Sequence, residues 1–238
     1  NTRGTPTPFG LRSDTTGVEF DDQSTGNNNP IIASFDTDGF SLGNQVQGNG
    51  NTNTHVAWCW KANGGTTSTD STGDITVTRQ SNTSGGFAIL TYTGNGSSDQ
   101  TIAHGLGKTP AWVITKNIDR TSHWAVWQQS HTGYYGQLEI SDTWATDSSQ
   151  FYTNGMTSNF IGVKGSGATN ESGDSMIAYV WTEIDGFSKF GSYEGNGNTD
   201  GTFVYTGFKP RMIFLRQVEA VSYTHLRAHE TKANLVCR

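Results

Sequence analysis

The chain repeats itself at long range, and the repeat limits what it can fold into. Residues 86–110 carry Gly86-Phe87, Tyr92, Gly94-Asn95-Gly96, Asp99, Thr101 and Pro110. Residues 186–210 carry Gly186-Phe187, Tyr193, Gly195-Asn196-Gly197, Asp200, Thr202 and Pro210, an offset of 100 to 101 residues. A second echo runs the other way: Phe40 followed by Val56-Ala57-Trp58-Cys59-Trp60 matches Phe160 followed by Ile177-Ala178-Tyr179-Val180-Trp181. Such a period is too long for the units of a solenoid or propeller, which span about 20–50 residues. It suits small whole domains in tandem. An array of one module reads as a spacer, an adhesin or a fibre before it reads as a catalyst.

The local pattern is that of strands. Apolar residues are aromatic or β-branched and alternate over short runs bounded by Gly, Asn, Thr and Ser, as in an all-β sandwich. Strands are expected at Ile31–Phe35 and Gly39–Leu42 around an Asp36-Thr37-Asp38-Gly39 turn, at His55–Trp60, and at Ile75–Arg79, where the linker ends. Further strands are expected at Phe87–Thr93, Thr101–His104, Trp112–Lys116, His123–Gln128, Gln137–Ile140, Gln150–Thr153, Phe160–Val163, Ser175–Trp181, Phe203–Thr206 and Met212–Arg216. Both faces of His55–Trp60 are apolar, so that strand is expected between two layers. Asn-Gly tolerates positive φ at both central positions of a tight turn, so Gly94-Asn95-Gly96 reads as a hairpin. Residues 2–8 and 23–30 read as loops, and no segment reads as a helix. Trp58, Trp60, Trp112, Trp124, Trp127 and Trp181 are assigned to cores.

The organisation that follows is tandem. Residues 1–62 form the C-terminal part of a preceding module, 63–85 a Gly/Thr/Ser-rich linker and strand, 86–184 a complete β-sandwich module, and 185–220 the start of a next one. Residues 221–238 break from this composition toward Leu, Arg, His and Ala. Val221-Ser222-Tyr223-Thr224-His225-Leu226-Arg227-Ala228-His229-Glu230-Thr231 resembles the in-frame translation of a sequencing adapter. The expectation is a non-native tail, excluded from the fold argument, on a chain that continues in both directions in its parent protein.

Charge and cysteine content narrow the function. The chain holds 15 Lys+Arg against 21 Asp+Glu; removing Arg227, Lys232, Arg238 and Glu230 leaves 12 against 20, a net charge of −8. A nucleic-acid surface needs a basic patch, which this balance does not supply. No apolar run approaches the roughly 18 residues of a membrane span. With Cys237 set aside, Cys59 stands alone, so no internal disulfide staples the fold, and packed aromatics must hold it.

Several residues could carry chemistry. Asp36-Thr37-Asp38-Gly39 opens like a calcium loop but lacks the bidentate Glu that ends one. His55, His104, His123 and His131 have no metal-like spacing, and the second copy places Tyr205 where the first has His104. Gly94-Asn95-Gly96-Ser97-Ser98 precedes neither a helix nor a Gly-Lys-Ser/Thr signature, so it reads as a turn. Glu139, Asp142 and Asp147 lie close enough in sequence to imitate a glycosidase pair, which requires two carboxylates facing each other across a cleft. The loop aromatics point elsewhere. Tyr134, Tyr135, Trp144, Phe151 and Tyr152 sit among Gly, Ser, Asp and Thr, where flat rings bury contact area at low entropic cost. Tyr134, Tyr135, Trp144, Asp147 and Tyr152 are the expected ligand-binding residues; catalytic residues, metal sites and cofactors are expected to be none.

Three segments carry a family likeness. Ser34-Phe35-Asp36-Thr37-Asp38-Gly39-Phe40 with Val56-Ala57-Trp58-Cys59-Trp60-Lys61-Ala62 is one. Tyr92-Thr93-Gly94-Asn95-Gly96 with His104-Gly105-Leu106-Gly107, Pro110, Trp112-Val113-Ile114, Lys116-Asn117 and Asp119 is the second. Gly186-Phe187-Ser188-Lys189-Phe190-Gly191-Ser192-Tyr193 with Gly207-Phe208 and Pro210 is the third. Together they resemble repeated modules in tail-fibre-like and virion proteins of tailed bacteriophages. The resemblance implies a lectin-type (concanavalin-like) or jelly-roll-like sandwich, a non-enzymatic virion protein exposed on the phage tail, and a homo-oligomer, typically a trimer. It also implies partners among other virion proteins and a host surface glycan or receptor. A ligand-free spacer, a bacterial secreted adhesin and an accessory domain of a polysaccharide-degrading enzyme remain as alternatives.

Overall fold

The structure, a computed structural model, describes residues 9–21, 31–63 and 66–219. The loops expected over residues 2–8 and 23–30 and the tail at 221–238 lie outside the described residues. Fourteen strands follow in chain order: β1 (Phe9–Gly10), β2 (Phe20–Asp21), β3 (Ile32–Phe35), β4 (Phe40–Leu42), β5 (Ser68–Asp70), β6 (Val77–Asn82), β7 (Phe87–Thr93), β8 (Gln100–Ala103), β9 (Trp112–Asn117), β10 (Ala125–Gln128), β11 (Tyr134–Gln137), β12 (Ala145–Thr146), β13 (Phe160–Val163) and β14 (Ser175–Trp181). One α-helical turn, α1 (Val46–Asn49), follows β4. The protein is all-β, as the alternation predicted.

Eight strands make one antiparallel sheet in the order β12-β11-β10-β9-β14-β7-β6-β5, and β13 pairs with β8 in a second, two-stranded sheet. β14 lies between β7 and β9, opposing Trp181 to Phe87 on one side and to Trp112 on the other. Alternation along these strands makes two apolar faces. The inner one turns Leu90, Tyr92, Val113, Trp127, Met176 and Val180 toward Ile102 of β8 and Ile161 and Val163 of β13, forming the larger core. Burying each of those aliphatic side chains stabilises the fold by about 1.5–3 kcal/mol. Tyr92 is buried there, and its hydroxyl donates to the Thr169 carbonyl at 2.5 Å. The outer face is aromatic: Phe87, Trp112, Trp124, Tyr179 and Trp181 form a second cluster with Ile114 and Val126. The N-terminal segment lies over it, with the Trp124 indole N–H directed to the carbonyls of Arg12 and Thr15.

The link from β7 to β8 is an arch between layers rather than a hairpin. β7 belongs to the large sheet and β8 to the small one. Gly96 has a φ of 71°, whereas among the described residues the non-glycine positions with positive φ are Thr52 and Asp99, so Asn95 does not adopt the conformation a tight hairpin needs. Asn170 holds the arch instead. Its side chain accepts from the Asn95 N–H at 2.8 Å and donates to the Asn95 side chain at 2.9 Å and to the Ser97 carbonyl at 2.7 Å. Gly94 passes so close to the facing loop that a Cβ would lie 2.1 Å from the Glu171 carbonyl oxygen.

The sheet also starts earlier than expected. β5 and β6 belong to it, with β6 paired along its length to β7, so the sheet begins at Ser68 rather than at Gly86. The strand expected at Gln137–Ile140 is β11, three residues earlier, and Gln150–Thr153 contributes a bridge from Phe151 to Val163. Residues 55–60, 203–206 and 212–216 form no strand among the described residues. Trp58 and Trp60 are exposed rather than in a core. Alternation alone does not make a strand: the backbone needs ladder partners, and these segments have none along their length. The two copies of the 86–110 motif therefore differ in form, β7 and β8 in the first and turns, bends and irregular backbone without a strand in the second.

Candidate functional site

β11 splits the two tyrosines it carries. Tyr134 points to the outer side and is 40% exposed, while Tyr135 packs against the larger core. Gly133, at a φ of 82°, turns the chain into β11 just after His131. That turn lays the His131 ring on the Tyr134 ring, centroids 4.5 Å apart and planes at 24°. The Trp144 indole meets His131 edge-to-face, centroids 5.6 Å apart. Trp144 itself lies over Gly136, where a Cβ would come within 2.6 Å of the ring, so the glycine makes room for the indole. Tyr134, His131 and Trp144 thus form one ring cluster at the β11–β12 edge of the large sheet.

The other expected residues do local structural work. Asp147 accepts the backbone N–H groups of Ser149, Gln150 and Phe151 at 3.1, 2.7 and 2.9 Å, holding the turn that leads to the Phe151 bridge. Tyr152 packs its ring on Gly155, where a Cβ would stand 2.7 Å from it. The structure therefore unites Tyr134 and Trp144 but places Tyr135, Asp147 and Tyr152 elsewhere. His131, which sequence reasoning weighed only as a metal ligand, completes the cluster. Its signal was its position three residues before Tyr134 across a glycine.

The remaining candidates divide in the same way. Asp36 accepts from the hydroxyls of Ser34 and Ser41 at 2.9 and 2.7 Å and closes the β3–β4 turn. Those bonds, Ser41 first, hold its pKa below the ordinary value. Among the described residues no group of three or more His, Cys, Asp or Glu is arranged to hold a metal ion. His104 is fully buried; its Nδ1 accepts from the Leu106 N–H and its Nε2 faces the Thr157 carbonyl, both at 3.2 Å. Burial lowers its pKa to about 4, so a neutral imidazole braces the Gly105–Gly107 turn. Of the three acids weighed as a glycosidase pair, Glu139 contacts His123 and accepts the Trp124 N–H, and Asp142 offers its carbonyl to Arg216.

A buried polar network that sequence reasoning missed sits at the far end of β9. Asn117 donates to the Gly167 carbonyl at 3.0 Å and to Asp174 at 2.7 Å, and accepts the N–H groups of Asp119 and Arg120. Arg120 pairs with Asp174 and reaches Glu171 at 3.3 Å. The Arg120 and Asn117 bonds hold the Asp174 carboxyl below its ordinary pKa. Lys116 is buried beside this network, donating to the Asn117 and Thr16 carbonyls at 2.7 and 3.3 Å, and burial lowers its pKa against the opposing pull of Glu139. The network braces the 117–120 and 166–174 loops.

A family model described as a domain of unknown function (DUF7483) matches residues 5–233, and the chain belongs to that family. No curated protein and no solved structure matches it.

Proposed function

We propose that this member of the DUF7483 family is a non-catalytic module of a tailed-phage virion, a tail fibre or tail-associated appendage that touches host surface glycans. The observation that supports the reading best is the ring cluster of His131, Tyr134 and Trp144. Among the described residues, Tyr134 is the one exposed large hydrophobic side chain between Ser68 and Thr182. It stands beside polar loops at a sheet edge, where a sugar ring can stack on an aromatic face while neighbouring hydroxyl and amide groups meet its hydroxyls. The finer architecture in this reading is a lectin-like sandwich. The mechanism is avidity: weak single contacts become strong when several copies in a homo-oligomer, a trimer by family resemblance, engage one surface.

The test is binding of the full chain to a host-glycan panel and to whole host cells, beside Tyr134→Ala and His131→Ala. The reading expects binding that falls at least about tenfold in either variant, with thermal stability kept. A flat response to every glycan and to cells removes the adhesive role and leaves a spacer. Release of soluble sugar from host polysaccharide would make the module part of an enzyme.

A further inference from the structure

We propose that segments of the two flanks of this chain, which carry no ladder in the structure described above, close into a second sheet, in which residues 56–60 come to pair between the segment that follows the Ile184–Ser188 turn, residues 189–193, and residues 212–216, and seat on the outer aromatic face of the first. The proposal stands whether or not the module binds a glycan.

The first observation is where apolar surface is left in water. Apart from Tyr134, the exposed large hydrophobics of the described residues lie in the flanks, among them Val56, Trp58, Trp60, Phe187, Ile213 and Phe214. Large apolar side chains left in water on both flanks mark surface made to be covered.

The repeat says what covers it. Residues 187–193 echo β7, residues 212–216 echo β9, and residues 56–60 echo the C-terminal half of β14. In the first sheet β14 lies between β7 and β9. The N-terminal flank therefore carries the middle strand of a unit whose outer strands are both in the C-terminal flank, and neither flank is complete without the other. The matched family span, residues 5–233, includes both.

The flanks are also brought together. Asn82 donates to the Lys61 carbonyl at 2.9 Å where the chain comes in, and the Thr182 N–H donates to the Gly86 carbonyl at 2.9 Å where it goes out. Asn82, Phe87 and Trp181 share one row of the sheet, so entry and exit lie at the same end. Trp60 already touches Phe87 and Trp181, with centroids 6.3 and 6.1 Å apart. Phe214 and Phe190 touch Trp112 at 6.5 and 6.2 Å.

The faces agree as well. Trp60 is the counterpart of Trp181 and Phe214 of Ile114, both outer-face residues of the first sheet. Arg216, two residues beyond Phe214 and so on the same face of a strand, donates to the carbonyls of Ile140 and Asp142 in the first unit at 2.8 and 3.1 Å. Like faces of the two sheets meet, aromatic row on aromatic row.

The register yields a direct test through Cys59, the counterpart of Val180. Val180 opposes Val113, so Cys59 would oppose Ile213. The Ile118 N–H donates to the Ser175 carbonyl at 3.0 Å, which makes alternate pairs of that ladder hydrogen-bonded and leaves Val113–Val180 a closely spaced, non-bonded pair. Such a pair is near enough for a disulfide. In the full chain with Cys237→Ser, mild oxidation of Ile213→Cys should link Cys59 to the introduced thiol within one chain, at a yield at least about fivefold above Phe214→Cys, whose side chain faces the other way. Equal yields in the two variants overturn the proposal. So does a product found only between two chains, which would mean that copies exchange flanks. If Ile213→Cys does not fold, amide exchange on the unaltered chain decides: slow exchange at residues 56–60 and 213–215 supports the sheet, and free exchange at residues 56–60 overturns it.

Discussion

The indoles of Trp112 and Trp181 stack, with centroids 4.6 Å apart and planes at 30°, at a directly opposed pair of β9 and β14. Phe87 joins the row from the other side, 5.0 Å from Trp181. Three neighbouring strands thus place large aromatic side chains side by side on the outer face. The centre of the large sheet is pinned on both faces, by aliphatic packing inside and by rings outside.

Removing one ring from that row should be costly. Trp181→Ala is expected to destabilise the fold by about 3–5 kcal/mol in urea unfolding. A Trp112/Trp181 double-mutant cycle should leave a coupling of about 0.5–1.5 kcal/mol beyond the area lost.

The arch between layers depends on Gly94 for space. Gly94→Ala drives a Cβ toward the Glu171 carbonyl. It should lose at least ~2 kcal/mol or fail to fold. Gly167→Ala meets nothing nearer than a Glu171 side-chain oxygen at 3.7 Å, and its melting temperature should match the parent's.

The Asn117 network should respond according to burial. Asn117 is fully buried with four protein partners, so Asn117→Ala orphans several groups at once and should cost at least ~2 kcal/mol. The Arg120 side chain is 53% exposed, and Arg120→Ala should cost under about 1 kcal/mol. Chemical denaturation of both variants checks the order.

His104 should make stability depend on pH in a defined window. Its folded pKa is lowered to about 4 from an ordinary 6.5, so between those values the unfolded chain binds more protons than the folded one. Stability is full above the unfolded value and falls as pH drops toward about 4, by up to about 3 kcal/mol. Asp70, Asp74 and Asp174 are held below their ordinary 3.8. Their contribution is present above that value and is lost at lower pH, below the histidine window. His104→Asn should flatten the stability profile between pH 4 and 6.5 and leave the acid limb unchanged.

The strands that could be read in advance are those whose alternation coincides with real ladder partners. β7, β9 and β14 are long, alternate cleanly and sit at the centre, so pattern and pairing agree. Residues 55–60 and 212–216 alternate equally well, yet pairing depends on the whole chain and not on a six-residue window. β6 was read in part, as a strand at Ile75–Arg79, but β5 was hidden for the opposite reason: Ser68 and Thr69 belong to a polar stretch whose place is set by the neighbour it pairs with. The arch at Gly94–Gly96 was masked because Asn-Gly is also a hairpin signal, and Asn170, which decides between the two, is 75 residues away. At the candidate site, alternation alone separates Tyr134 from Tyr135. The stacking of His131 needed the Gly133 turn, and the capping by Asp147 needed the positions of three backbone N–H groups.

Residues 61 and 182 lie at one rim of the large sheet, so in the proposed fibre a pull between them would cross the sheet along that rim. It would load a few contacts near Lys61 and Thr182 and bypass the ladders within. In the proposed fibre the unit would hang beside the shaft as a lateral lobe, turning its β11–β12 edge to whatever the filament brushes against.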